Sequence, residues 1–333
     1  MKNRLSNMEL LRIVAMLLVL LLHCNYSVIG PVSQSEVISD SMGSFIRILT
    51  EQLCLCCVNI FVLISGWFSI KFTFKGICSL FFQVLTLVIA VCVVLIPFSP
   101  NIPYKDIFKV FYIGSYYWFI PSYLILFVFS PVLNAFVENT DRVLIERVLL
   151  GFFLLEFALG WLFDWEHFGL GYSGISFMGL YLMARFLNKF KHKLFIAQKC
   201  KSFYLGVYLL CSIIPATITF YTIRYMNYGF NQLSYTSPFV IGASVSMLLL
   251  FSKFEFESKF VNWVAASAFS MYIIQLHPMI WPIWTSNMND LYKSIGGGKY
   301  LIISLLFCFI FGCICVLIDQ IRIKMWNIIK IKM

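Results

Sequence analysis

Charged residues are scarce in this sequence, and their scarcity already excludes most classes of soluble protein. Asp, Glu, Lys and Arg make up 12% of the 333 residues, against about a quarter in soluble proteins, while 61% of the residues are hydrophobic. The mean hydropathy is +0.87, and apolar stretches occur along the whole chain. We therefore exclude an ordinary soluble protein and predict a polytopic integral membrane protein.

The sequence also lacks the pattern of a metal site. It has four histidines, and most of its eleven cysteines lie inside apolar runs, such as Cys54 to Cys57 and Cys308 to Cys315. No group of Cys and His with regular ligand spacing stands in a polar loop. We interpret the cysteines as small buried hydrophobic residues, with a zinc site as the less favoured alternative.

Ten stretches approach the length of about 20 apolar residues that a membrane-spanning helix needs. They predict an all-α fold, a transmembrane helical bundle of about ten spans, in one membrane-embedded domain over residues 1–333. A further segment at 105–115 carries three charged residues and is predicted to lie at the membrane interface. The predicted spans are 8–28, 45–68, 76–97, 116–137, 147–165, 171–189, 203–223, 236–252, 261–284 and 299–321.

Lysine and arginine are distributed unevenly between the two sides of this bundle. With the N-terminus inside, 18 of the 25 basic residues fall in inner segments, 5 fall in outer segments, and Arg12 and Arg47 fall within spans. Because basic residues favour the cytoplasmic side, we predict that both termini are cytoplasmic. The formal net charge of +10 then reflects a basic inner face that suits anionic lipid heads or an anionic ligand, and it gives no reason to expect nucleic acid.

A few charged or strongly polar side chains lie inside the predicted spans. A charge at the bilayer centre costs on the order of 3 kcal/mol on insertion scales, so each such residue is a functional hypothesis. These residues are Arg12, His23, Arg47, Asn59, Glu156, His277 and Asp319.

Arg12 and His23 project from the same face of the first span. They are eleven residues apart, which is three helical turns plus 20°, and the rise between them is about 16 Å. Arg12 could bind a phosphate near the inner surface, while desolvation should keep His23 neutral and able to accept a proton from a hydroxyl. The structural alternative is that Arg12 extends to the interface and His23 only hydrogen-bonds a neighbouring helix.

Three further features have both functional and structural interpretations. His277 precedes a helix-breaking proline at a depth similar to that of His23, and Glu156 could orient a histidine or receive a substrate hydroxyl. Ser65 and Gly66 end the second span just before Lys71 and Lys75, where an unwound helix and basic residues could bind a donor. Aromatic-belt packing, hydrogen bonding within the bundle, and ordinary helix packing are the respective alternatives.

Together these pieces resemble the acyltransferase 3 family of bacterial membrane acyltransferases. The resemblance covers essentially the whole chain, including the ten-span count, and lies in the order and spacing of several motifs. The motifs are Glu9 to His23, Phe61 to Phe68, Tyr117 to Leu124 with Ser130 to Asn134, and Ser270 to Pro278.

The resemblance implies a multi-pass enzyme of the bacterial inner membrane. The family transfers acyl groups, often acetyl from acetyl-CoA on the cytoplasmic side, to hydroxyls of extracytoplasmic or lipid-linked glycans. By this resemblance His23 matches the catalytic histidine, and Arg12 matches an arginine that helps to hold the donor. Trp67 stands where many members have Tyr or Phe, and Arg47 is the only candidate for a second donor-side arginine.

The resulting hypothesis assigns roles to eight residues. His23 acts as the base, supported by His277 or Glu156, while Arg12, Ser65, Gly66, Lys71 and Lys75 bind acyl-CoA, which is a co-substrate and not a permanently bound cofactor. The other partners are the glycan acceptor and membrane lipids. One rival is a proton-coupled transporter or glycan flippase, since buried His, Glu and Arg also occur in carriers. Another is a related enzyme that uses succinyl or another acyl group.

The charge asymmetry generates a prediction about topology. Reporter proteins fused after Met333 should be active only if they function in the cytoplasm, because the basic segments keep the preceding loops inside. Paired fusions of a cytoplasm-active and a periplasm-active reporter measure this. Activity of the periplasmic reporter alone would contradict the predicted orientation.

Overall fold

The computed structural model of the protein describes residues 5–98, 116–163, 168–230 and 234–329, and these residues are all-helical, with no strand among them. The segment at 105–115, predicted to be interfacial, lies outside the described residues. The α-helices are α1 (Ser6–Leu22), α2 (Gln34–Ser39), α3 (Ser41–Cys54), α4 (Cys57–Trp67), α5 (Phe74–Leu95), α6 (Phe119–Asn139), α7 (Arg142–Leu155), α8 (Gly174–Phe190), α9 (Lys201–Met226), α10 (Pro238–Ser252), α11 (Lys259–Ala265), α12 (Ala268–Gln275), α13 (Trp281–Ile295) and α14 (Gly297–Ile329).

Six helical stretches are long and apolar enough to cross a membrane, which indicates a multi-pass membrane protein. They coincide with six of the ten predicted spans. Three other predicted spans correspond to α7 with its π-helical extension, to the 17-residue α8 and to the 15-residue α10. The count of ten spans therefore stays a prediction. The six stretches are Ser6–Val28, Ser41–Trp67, Phe74–Leu95, Phe119–Asn139, Lys201–Met226 and Gly297–Ile329.

The span predicted at 261–284, with a break at Pro278, is interrupted twice in the structure. The chain there forms two short helices, α11 and α12, and the second ends at Gln275. After a turn, the separate helix α13 begins at Trp281. The hydropathy is continuous across these breaks, so the proline predicted the break near Pro278, whereas nothing in the sequence predicted the one after Ala265.

Helix α1 lies at the centre of the bundle. It packs against α3, α4, α10, α11, α12 and α14. Eleven of its seventeen residues are buried, including the polar residues Ser6, Asn7 and Glu9. Asn7 is fixed because its side-chain amide donates to the backbone carbonyls of Phe251 (3.0 Å) and Phe254 (2.8 Å). Any group carried on this helix is therefore held by neighbours on most sides.

Arg47 is the centre of a polar cluster beyond the end of α1. Its guanidinium contacts the carboxylate of Glu36 (2.9 Å), the hydroxyl of Tyr292 (3.0 Å) and the carbonyl of Gly30 (2.7 Å). Its Nε donates to the side-chain oxygen of Asn25 at 3.1 Å. Burial opposes ionisation of Glu36, but hydrogen bonds from Ser33 and the charge of Arg47 leave the Glu36 pKa below its ordinary value. These contacts make Arg47 part of a structural cluster on the far side of His23 from Arg12.

The other polar residues predicted within spans also find partners. Asp319 is fully buried, and both its oxygens accept from Arg322, at 2.8 Å and 2.7 Å. Asn59 donates to the backbone carbonyl of Tyr235 at 3.0 Å. Pairing of this kind offsets the cost of burying polar groups, so these two residues have structural explanations.

Gly66 allows α4 and α8 to approach closely. A Cβ atom at this position would lie 2.5 Å from the backbone oxygen of Tyr181 and 2.8 Å from Cβ of Ala184. The first of these atoms belongs to a helix backbone and cannot move aside cheaply. This contact explains the glycine that ends the predicted second span as a packing residue.

The close contact generates a stability prediction. Gly66→Ala should lower the thermal unfolding temperature of the detergent-solubilised protein, because overpacking against a backbone costs about 1–3 kcal/mol. Gly151→Ala is the matched control, since a Cβ there meets no atom within 4 Å and alanine is favoured inside a helix. Equal unfolding temperatures for the two variants would contradict the packing role of Gly66.

Candidate active site

His23 lies where α1 changes its helical geometry. The regular helix ends at Leu22, and His23 begins a π-helical segment that extends to Val28. Such segments are rare and frequently occur at functional sites. Glu156, which is buried, likewise begins a π-helical segment, Glu156–Leu162.

Two residues, one on each side of the break after α12, orient the His23 ring. Its Nδ1 lies 2.7 Å from Oε1 of Gln275, the last residue of α12. An amide oxygen only accepts, so Nδ1–H is the donor and Nε2 carries the lone pair. The ring of Trp281, the first residue of α13, meets the imidazole edge-on with centroids 5.8 Å apart. This arrangement selects the tautomer in which Nε2 can accept a proton.

His23 lines a small, mostly apolar cavity inside the bundle. The cavity has a volume of about 30 Å³, which by the usual space requirement of a buried water holds about two water-sized groups. Its walls come from α1, α4, the start of α6, α12 and Tyr235, which precedes α10. The lining residues are Met16, Val19, Leu22, His23, Cys57, Val58, Phe61, Trp118, Phe119, Tyr235, Phe269 and Tyr272.

A second and larger cavity, of about 260 Å³, lies beside Arg12. Arg12 is partly exposed, and its Nη1 donates to Glu9 at 2.6 Å, which leaves further guanidinium N–H groups for an anion. On the opposite wall the hydroxyls of Ser65 and Tyr123 lie 3.2 Å apart. The lining residues are Arg12, Phe61, Ser65, Leu80, Phe119, Tyr123, Ala265, Ala266 and Phe269.

The other residues predicted to bind the donor lie in different surroundings. Ser65 lines it, whereas Gly66 packs against α8, as described above. Lys71 and Lys75 are exposed and follow shortly after the end of α4. Arg12 and Ser65 are thus brought together in one cavity, and the two lysines remain at the surface beyond it.

His277 and Glu156 have surroundings of their own. The Nδ1 of His277 accepts from the backbone N–H of Met279 at 3.1 Å, and its Nε2 lies 3.6 Å from the Cys92 sulfur. Glu156 is buried against the hydroxyl of Ser176 in α8. Among the described residues, neither one lines the His23 cavity or hydrogen-bonds the His23 ring. Their support of His23 stays a prediction.

The comparison with protein families agrees with this geometry. The model of the acyltransferase 3 family, described as an acyltransferase domain, matches residues 5–320. The chain belongs to this family. The match confirms the resemblance carried by the motifs from Glu9 to Pro278, and it identifies the protein as an acyltransferase. The comparisons with curated proteins and with solved structures found no match.

Family membership decides between the enzymatic and the transport alternatives. An acyltransferase requires an acyl donor and an acceptor, and the transporter or flippase hypothesis does not account for this domain. The acyltransferase carries its two candidate groups, Arg12 and His23, in adjoining cavities that share three wall residues.

Several residues of this acyltransferase site escaped the sequence analysis. Gln275 lies within the motif from Ser270 to Pro278, but the sequence analysis assigned a role to His277 of this motif and none to Gln275. Gln275 is the last residue of α12 and contacts His23, whereas His277 lies in the turn beyond the helix and contacts Cys92. Tyr272 of this motif lines the His23 cavity together with Phe61, Trp118, Phe119 and Tyr235, and a local sequence pattern does not predict contacts between residues so far apart in the chain.

Proposed function

We propose that this acyltransferase moves an acyl group, acetyl from acetyl-CoA, to a hydroxyl of a cell-surface or lipid-linked polysaccharide in the bacterial inner membrane. The donor enters from the cytoplasmic face, where both termini also lie. The observation that carries the proposal is the sequence of two cavities along α1, one beside Arg12 and the next beside His23.

The cavity beside Arg12 suits a CoA thioester. CoA is a polyanion that cannot cross the bilayer, so its nucleotide stays at the basic inner face while the narrow pantetheine arm reaches inward. Arg12 supplies a charge-assisted contact for a phosphate or pantetheine oxygen, and the hydroxyls of Ser65 and Tyr123 supply neutral ones. The exposed Lys71 and Lys75 add positive charge where the nucleotide would lie.

The cavity beside His23 suits the chemical step. Nε2 of His23 accepts the proton of the acceptor hydroxyl as that oxygen attacks the thioester carbon. The carbon–sulfur bond then breaks, and the imidazolium returns the proton to the leaving thiolate, which gives an ester and free CoA. Gln275 acts as a positioning residue, because it holds Nδ1–H and stabilises the imidazolium through the same contact.

The base assignment generates the central prediction. His23→Gln should lower the rate of acyl transfer by roughly 100-fold to 10,000-fold, because glutamine keeps a polar side chain but cannot accept the proton. The measurement is transfer of radiolabelled acetyl from acetyl-CoA to membrane glycans by proteoliposomes that contain the purified protein.

His192→Gln is the matched control, since His192 is exposed and outside both cavities. The His23 variant should insert and unfold like the wild type, and Gln275→Leu should lower kcat with little change in the KM for donor. Near-normal acylation by His23→Gln would make His23 a packing residue.

The donor role of Arg12 gives a separate prediction. Arg12→Ala should raise the KM for acetyl-CoA about 10-fold or more, with a smaller effect on the acceptor, because it removes a charge-assisted hydrogen bond. Arg142→Ala is the control, since Arg142 is a partly exposed basic residue paired with Glu146. Unchanged donor dependence in the Arg12 variant would exclude this role.

A further inference from the structure

Three phenylalanines separate the two cavities. Phe61, Phe119 and Phe269 line both the cavity beside Arg12 and the cavity beside His23. They come from α4, α6 and α12, so three different helices each contribute one ring. Phe119 lies between the other two, with its ring centroid 6.3 Å from that of Phe61 and 6.1 Å from that of Phe269.

The three rings differ in how firmly they are held. Phe119 stacks on Tyr123 at 5.6 Å and contacts Phe177 at 5.3 Å, so it belongs to a larger aromatic cluster. Phe269 stacks on Tyr272 at 5.6 Å and is only partly buried. Phe61 is also partly buried, and its ring contacts that of Phe119. Phe61 and Phe269 thus have fewer ring neighbours than Phe119, and either can be removed with less loss of packing.

We propose that Phe61, Phe119 and Phe269 form an aromatic partition that selects short acyl groups. This inference rests on the proposed function, because the acyl group must pass from the Arg12 cavity to His23. The partition faces about 260 Å³ on the donor side and about 30 Å³ on the His23 side. The small volume beside His23 favours the shortest acyl groups, because a longer chain needs volume that these rings occupy.

The difference in volume between the two cavities gives an expected size for the discrimination between acyl donors. One methylene in a closely fitting apolar pocket changes discrimination by about 10-fold to 200-fold. Removing a ring that borders both cavities joins them, so that a longer acyl chain can lie in the space released. The proposal therefore predicts that removing a ring changes the relative use of long and short acyl donors, in addition to any loss of rate.

The experiment compares acetyl-CoA with hexanoyl-CoA in proteoliposomes containing wild type, Phe269→Ala or Phe61→Leu. The measured quantity is the ratio of kcat/KM for hexanoyl transfer to that for acetyl transfer. We expect this ratio to rise about 10-fold or more in Phe269→Ala. We expect a smaller rise in Phe61→Leu, which retains part of the side chain and serves if the alanine variant does not fold.

Phe127→Ala is the matched control. Phe127 lies on α6 eight residues after Phe119, but it packs against Phe72 and lines neither cavity. Its donor ratio should equal that of the wild type. If wild type transfers acetyl and both partition variants keep the wild-type ratio, the partition is excluded while the proposed function stands. If wild type transfers no acyl group from either donor, the proposed function fails and the partition fails with it.

Discussion

The hydrogen bond between His23 and Gln275 is the contact on which the candidate site depends. It joins α1, the central helix of the bundle, to the last residue of α12. It also fixes the tautomer in which His23 presents a lone pair on Nε2. The break after Gln275 is required for the same arrangement, because the turn that follows brings Trp281 against the edge of the imidazole. A continuous ninth span would carry Trp281 about 9 Å beyond Gln275 along the helix axis and could not place both residues on one ring.

The arrangement along α1 follows from helical periodicity, but its use depends on the neighbouring helices. Arg12 and His23 share a face because eleven residues make almost three complete turns. Side chains of α4, α6 and α12 lie against both ends of this face, so each end borders a cavity. The polar cluster around Arg47 closes the far side by holding Asn25, two residues after His23, and Gly30 in the segment that follows.

Much of this could be predicted from the sequence, and the exceptions have physical causes. Hydropathy predicted the all-α class and ten spans, six of which coincide with long apolar helices, and periodicity predicted that Arg12 and His23 share one face. The break between Ala265 and Ala268 was missed because a turn made of small and apolar residues has the hydropathy of a helix. Gln275 and the partners of Arg47 were missed because their contacts join residues far apart in the chain, and no local pattern encodes such pairings.

The aromatic walls also address a problem that any base for acyl transfer faces. A histidine able to deprotonate a sugar hydroxyl can deprotonate water, and water would hydrolyse the thioester to a free acid and CoA. The cavity at His23 holds about two water-sized groups, so a reacting group that enters it leaves little room for a competing water. Phe61, Phe119 and Phe269 add an apolar barrier toward the 260 Å³ cavity, which also contains the polar groups of Arg12, Ser65 and Tyr123. The same three rings that we propose to limit the acyl chain would therefore also favour transfer over hydrolysis, because both properties depend on how little space remains beside His23.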